Sequence, residues 1–111
     1  MPTRRIEKSQ WQPYFDAVSR ELPAAHVDVE IDTPELGAQP EMSHIRLDGL
    51  SYDPRDDAFS IVTEKIEHRI AAPRQISVRE DETSLTAVEV IDADEKKHVA
   101  RLTEALKLPE E

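Results

Sequence analysis

The side chains that could do chemistry in this sequence are carboxylates, histidines and serines, because its 111 residues include no cysteine. Thiolate nucleophiles, disulfides and cysteine-bound zinc or iron–sulfur clusters are therefore excluded. Two groups of carboxylates surround predicted turns, one with Asp53, Asp56 and Asp57 and one with Asp92, Asp94 and Glu95. Neither group has the central glycine and terminal glutamate of a calcium loop. We expect these carboxylates to stabilise their turns and predict no metal site there.

Four histidines are dispersed along the chain, at positions His26, His44, His68 and His98. No two of them have the spacing of three or four residues with which one helix holds a metal ion. Three of them could converge in the fold, but histidines on strands are more often exposed or hydrogen-bonded. The histidines by themselves therefore predict neither a metal site nor a catalytic centre.

Signals for nucleotide binding and for serine catalysis are also missing from the sequence. Its glycines are Gly37 and Gly49, too few for the backbone cradle that holds nucleotide phosphates. Serines such as Ser51 and Ser60 have no nucleophile-elbow sequence around them. We therefore predict no cofactor, and the sequence favours a protein that is not an enzyme.

The internal stretch of residues 58–79 is mildly basic, although the chain as a whole carries a net charge of −10. It contains three candidate contacts for an anion or an acidic partner, His68, Arg69 and Arg74, of which the arginines present planar forks of donors. The alternative is that these cations neutralise nearby carboxylates and so support the folding of a self-repelling chain.

The elements that must position these residues begin with one helix near the N-terminus. Its large apolar residues recur at helical spacing, at Trp11, Phe15, Val18 and Leu22, and Pro23 is expected to stop it. This spacing makes core packing a better explanation of the aromatic residues than a stacking platform for a ligand. We therefore expect Trp11 to be buried between the helix and a sheet.

Strand patterns follow the helix. Val27, Val29 and Ile31 alternate with Asp28, Glu30 and Asp32, which predicts a half-buried strand with an acidic wet face. Residues 44–65 read as a hairpin with an irregularity at Gly49, and a second hairpin is expected around the turn at residues 92–95. The predicted fold is α+β, a single domain over residues 1–111 with one N-terminal amphipathic helix on a mainly antiparallel sheet of about six strands.

Charge and hydropathy limit the partners. A net charge of −10 opposes binding to phosphate backbones, so we predict no nucleic acid as a partner. Residues 1–8 carry cations but no apolar run follows them, so we predict no signal peptide, no membrane contact and a cytoplasmic location. The acidic row of the first predicted strand either docks a basic partner or is a solvated face that prevents edge association.

The order and spacing of several short segments resemble a small bacterial family catalogued as domain of unknown function 5335. These segments are Gln10-Trp11, Leu36-Gly37-Ala38-Gln39, Leu50-Ser51-Tyr52-Asp53-Pro54 and Val90-Ile91-Asp92-Ala93-Asp94. The resemblance covers nearly the whole chain but implies no activity and no site residues. Similar sequences tend to have Asp-Gly where this chain has Asp94-Glu95. A tight turn with positive φ is less favourable for glutamate than for glycine.

Three functions are compatible with these predictions from the sequence. The first is a non-enzymatic binding or regulatory module that contacts another protein through a sheet edge or its acidic face. The second is a small enzyme whose site assembles from dispersed polar residues such as Tyr52, His68 and Arg74. The third is a structural homo-oligomer that pairs through exposed strand edges.

Overall fold

The chain forms one helix and eight strands in the computed structural model, which describes residues 3–20 and 25–107. A 3-10 turn (Lys8–Gln10) leads into the helix α1 (Trp11–Arg20). The strands are β1 (Thr3–Ile6), β2 (His26–Thr33), β3 (Gly37–Asp53), β4 (Ala58–Thr63), β5 (Glu67–Ala71), β6 (Pro73–Glu80), β7 (Ser84–Asp92) and β8 (Lys97–Lys107). The predicted α+β class with antiparallel pairing is confirmed. The predicted number of about six strands is wrong.

The strands that the sequence did not indicate lie at the two ends of the sheet. Strand β1 buries Ile6 alone, and β5 buries Ile70 alone. A strand with a single buried residue has no alternation of apolar and polar residues from which it could be predicted. Strand β3 likewise begins at Gly37, seven residues before the predicted hairpin. Its first half is largely exposed on both faces, so no alternation of buried and exposed residues indicated a strand there.

The strand order is β1-β6-β7-β8-β2-β3-β4-β5, and every neighbouring pair is antiparallel. Strand β3 pairs with β2 through residues 37–46 and with β4 from Leu47 onward. A register shift between Leu47 and Gly49 confirms the irregularity expected there. The sheet also curls, since a side chain of β5 contacts one of β8 although three strands separate them in the order.

The helix covers the inner face of the sheet, as its periodicity predicted. Trp11, Phe15 and Val18 are buried, and the Trp11 ring stands edge-on to Tyr52 with centroids 5.0 Å apart. The Ser19 hydroxyl fastens α1 to β3, because it donates to the Leu50 carbonyl at 2.6 Å and accepts from the Leu50 amide at 3.0 Å. The expected helix residue Leu22 and the expected stop at Pro23 lie outside the described residues. No helix within residues 3–20 and 25–107 has the length and hydropathy needed to cross a bilayer.

Candidate functional site

The turn between β7 and β8 is organised by the side chain of Asp92. Its Oδ1 atom accepts hydrogen bonds from the amides of Asp94 at 2.8 Å and Lys96 at 3.0 Å. Asp92 thus stabilises its turn, as the sequence predicted for these carboxylates. Its other oxygen points into the inner side of the sheet, where Asp92 is 8% exposed.

That second oxygen starts a chain of three side chains, which we call the histidine relay (Asp92, His98 and His68). Asp92 Oδ2 lies 2.9 Å from Nε2 of His98, and Nδ1 of His98 lies 3.0 Å from Nε2 of His68. His98 is buried and His68 is half-buried. The His98 side chain shares the inner face of β8 with Ala100 and Leu102, two residues of the hydrophobic core.

The donors and acceptors of the histidine relay follow from the charge of Asp92. Burial alone would raise the pKa of Asp92, but hydrogen bonds from His98 and two backbone amides hold it below its ordinary value. An ionised Asp92 only accepts, so we assign the Nε2 proton of His98 to this bond. With this proton on Nε2, Nδ1 of His98 accepts from the Nε2–H of His68, and Nδ1 of His68 remains as an acceptor.

The environment of His68 opposes its positive charge. Burial lowers the pKa of His68 and the neighbouring His98 lowers it further, while the carboxylate of Glu41 acts in the opposite direction. The relay therefore offers a neutral imidazole whose partner is oriented by a carboxylate, which is the arrangement of a general base or of a pH-sensitive contact. Within the described residues, no three metal-binding side chains converge as a cation would require.

A second cluster surrounds the edge of Trp11, and we call it the cation cleft. It has a volume of about 460 Å³ and is lined by Arg5, Ile6, Glu7, Lys8, Trp11 and Arg74. The indole Nε1 of Trp11 donates to the Ile6 carbonyl at 2.9 Å, which fixes the wall of the cleft. Lys8 Nζ lies 5.6 Å from the centroid of the Trp11 ring and 3.6 Å from Asp57 Oδ1.

The three predicted contact residues do not share one surface. His68 points inward into the histidine relay, whereas Arg69 points outward and forms an ion pair with Asp56 at 3.1 Å. Arg69 therefore has a carboxylate partner within the chain. Arg74 lines the cation cleft.

The dispersed residues considered for an enzyme are also divided between the two clusters. Tyr52 packs against Trp11, and its hydroxyl donates to Asp57 Oδ1 at 2.6 Å. Burial and this hydrogen bond raise the pKa of Tyr52 to about 12. Tyr52 and Arg74 therefore both lie beside Trp11, while His68 belongs to the histidine relay.

Carboxylates of the acidic row of β2 bind groups on the neighbouring strands. The Asp28 carboxylate accepts from the amide of His44 at 2.6 Å, where the backbone of β3 takes a φ of 50°. Glu30 forms an ion pair with Arg101 of β8. Two of the three carboxylates in the row are thus satisfied within the sheet.

Sequence reasoning missed the contact of His68 with His98, the contact of His98 with Asp92, and the cleft that Arg74 lines together with Arg5 and Lys8. A signal for the histidine relay was present, because Asp92 continues the buried phase of Val88 and Val90. A polar residue in the buried phase of a strand must find a partner inside. Which partner it finds depends on the curl of the sheet.

Three comparisons with known proteins were informative about the family of the chain. It is 41% identical over 111 residues to a protein of Aquifex aeolicus (strain VF5) described as "Uncharacterized protein", and the match covers 99% of this chain and 100% of the relative. No solved structure matches the chain. The profile of a family of unknown function, DUF5335, matches residues 2–111. The chain therefore belongs to this family.

Proposed function

We propose that the protein is a small non-enzymatic binding module that acts through protein contacts. Its proposed ligand is an acidic, extended segment of a partner protein, held at the cation cleft and at the adjoining edge of β1. The observation that carries this proposal is the charge of the cleft. Three cations and one carboxylate line the cleft, whereas the whole chain has a net charge of −10.

Two cations of the cleft, Arg5 and Arg74, lack the ion-pair partners that several other cations of the chain have. The chain has 24 Asp and Glu against 14 Lys and Arg, so carboxylates outnumber the cations that they could pair with. Arg46, Arg55, Arg69 and Arg101 all have a carboxylate oxygen within 4.0 Å. Among the described residues, neither Arg5 nor Arg74 has an ion-pair partner. Two guanidinium groups left in one cleft can bind carboxylates of a partner through paired hydrogen bonds.

The backbone of β1 supports an extended ligand. This strand ends the sheet and pairs with β6, and Thr3, Arg4 and Arg5 on it are exposed. The free edge of a strand offers amides and carbonyls to an added strand, while nearby pockets select its side chains. Arg4 is held by Glu80 through bonds of 3.0 and 3.1 Å, which leaves Arg5 and Arg74 for the ligand.

The binding test uses a fluorescent ten-residue peptide of alternating Glu and Thr, followed by anisotropy at low and physiological salt. We expect saturable binding that weakens at least about tenfold in the double variant Arg5→Ala/Arg74→Ala, since each charged hydrogen bond contributes about 1.5–3 kcal/mol. The control variant Arg46→Ala/Arg101→Ala changes the net charge equally but leaves the cleft intact. Equal weakening in both variants, or equal binding of a Lys–Thr peptide, would refute the proposal.

Unfolding of the same variants tests the alternative that the cations only balance charge. A binding role predicts nearly unchanged urea midpoints for Arg5→Ala/Arg74→Ala. A charge-balancing role predicts a loss of stability at low salt that shrinks as salt screens the repulsion.

The histidine relay favours a second candidate function, a small enzyme that uses His68 as a general base. A carboxylate that orients one imidazole, which in turn contacts another, is an arrangement suited to proton transfer. Turnover of small ester or amide substrates that disappears in His68→Gln, and not in Arg5→Ala/Arg74→Ala, would support this candidate over the binding module.

A further inference from the structure

The contact between His68 and His98 joins two parts of the sheet that the strand ladder does not join. Strand β5 ends the sheet and pairs with β4, so its other edge has no strand beside it among the described residues. Strands β2, β3 and β4 lie between β5 and β8 in the order. The hydrogen bond of 3.0 Å therefore closes the curled sheet across its inner side.

The two imidazoles face each other through single nitrogen atoms, which limits the number of protons they can hold together. Their ring centroids are 5.2 Å apart and their planes differ by 55°. One proton lies between the facing nitrogens, whichever ring donates it. If both facing nitrogens carried protons, the two N–H groups would oppose each other and the hydrogen bond would be lost.

We propose that the histidine relay is a pH-sensitive latch: it holds β5 against β8 while the facing nitrogens share one proton, and it releases β5 when both are protonated. This inference is independent of the proposed binding function. The element that responds is the edge strand β5, which has a single buried residue, Ile70, to hold it in place.

The charged and titratable groups around His68 define the sign of the response. His98 of β8 faces it directly, Asp92 of β7 lies behind His98, and the carboxylate of Glu41 of β3 acts on it electrostatically. Burial and His98 together lower the pKa of His68 below its ordinary value of 6.5, although Glu41 opposes them. A depressed pKa in the folded state means that His68 supports the fold above pH 6.5 and that this support is lost as the pH falls further.

Backbone amide exchange, measured by NMR between pH 7.5 and 5.0, tests the latch. Protection factors are used because they correct for the intrinsic pH dependence of exchange. We expect the protection of β5 amides to fall at least tenfold over this range while β6 and β7 stay protected. In His68→Gln the side-chain amide can donate to Nδ1 of His98 through its NH2 group or, after a flip, accept from it through its oxygen. Protection of β5 should therefore not depend on pH in this variant.

The matched control is His26→Gln, because His26 stacks on His44 at a centroid distance of 4.3 Å, outside the relay. This variant should retain the wild-type response. The latch is refuted if β5 protection in the wild type is independent of pH, or if its fall persists in His68→Gln.

A measurement on the unmodified protein keeps the proposal testable if His68→Gln does not fold. Imidazole ¹⁵N shifts at pH 7.5 should show both His68 and His98 protonated at Nε2. Over the pH range in which β5 loses protection, both nitrogens of both rings should then carry protons. Protonation of both rings without any change in β5 would overturn the proposal.

Discussion

Nε2 of His68 lies 3.0 Å from Nδ1 of His98, thirty residues further along the chain, and this contact connects the edge strand β5 to β8. Behind it, Asp92 holds both the second nitrogen of His98 and two amides of its own turn. One carboxylate thus connects the geometry of a hairpin turn to the orientation of a buried histidine. Disturbing this carboxylate should affect both.

Replacing Asp92 with Asn should destabilise the protein by about 1–3 kcal/mol at pH 7, because hydrogen bonds to a charged acceptor are lost inside the sheet. The measurement is urea unfolding, with Asp94→Asn on the exposed side of the same turn as the control. The lowered pKa of Asp92 means that the wild-type carboxylate stabilises the fold above its ordinary value of 3.8. The difference between wild type and Asp92→Asn should therefore shrink as the pH falls below about 4, and a difference constant down to pH 2 would contradict this assignment.

Replacing Trp11 with Ala should lower the free energy of unfolding by about 3–5 kcal/mol, the usual range for a buried aromatic residue. Trp11 is 2% exposed and is held by its bond to the Ile6 carbonyl as well as by packing. Urea unfolding followed by circular dichroism measures the change, since the variant has no tryptophan fluorescence. Gln12→Ala, at an exposed position of the same helix, is the control. A loss for Trp11→Ala below about 1 kcal/mol would show that its burial contributes little.

Replacing Glu95 with Gly should stabilise the protein by about 0.5–1 kcal/mol. Glu95 has a φ of 66°, a left-handed conformation that side chains with a Cβ atom disfavour, and it is exposed. The measurement is the thermal or urea midpoint. Asp94→Gly is the control, because Asp94 is not among the residues with positive φ and glycine there should lower stability. Equal effects of the two substitutions would argue against strain at Glu95.

The protein should have no measurable affinity for DNA or RNA at physiological salt. Its net charge of −10 opposes approach to a phosphate backbone, and the three cations of the cleft release too few counterions to overcome this. Electrophoretic mobility shift with mixed oligonucleotides at micromolar protein is the measurement. A retarded complex that dissociates as salt increases would contradict the prediction and would identify the cation cleft as its first candidate site.

Local periodicity was enough to predict several elements. The spacing of Trp11, Phe15 and Val18 placed the helix and its buried face, because residues three and four apart share one side of a helix. Alternation placed β2, and turn residues placed the β3–β4 and β7–β8 hairpins. The unfavourable turn at Asp94-Glu95 was also visible, and Glu95 does have a positive φ. Each of these depends on interactions between residues close in the chain.

The two edge strands and both clusters were decided by tertiary structure. Strands β1 and β5 bury one residue each, so neighbouring strands hold them in place rather than a pattern of their own. His68 contacts His98 because the sheet curls across its inner side, and Arg5 and Arg74 line the same cleft because β1 pairs with β6. Neither the curl nor the strand order is encoded by the period of a single segment. The sequence by itself determined which faces are buried, and the packing of those faces against one another determined which polar side chains meet.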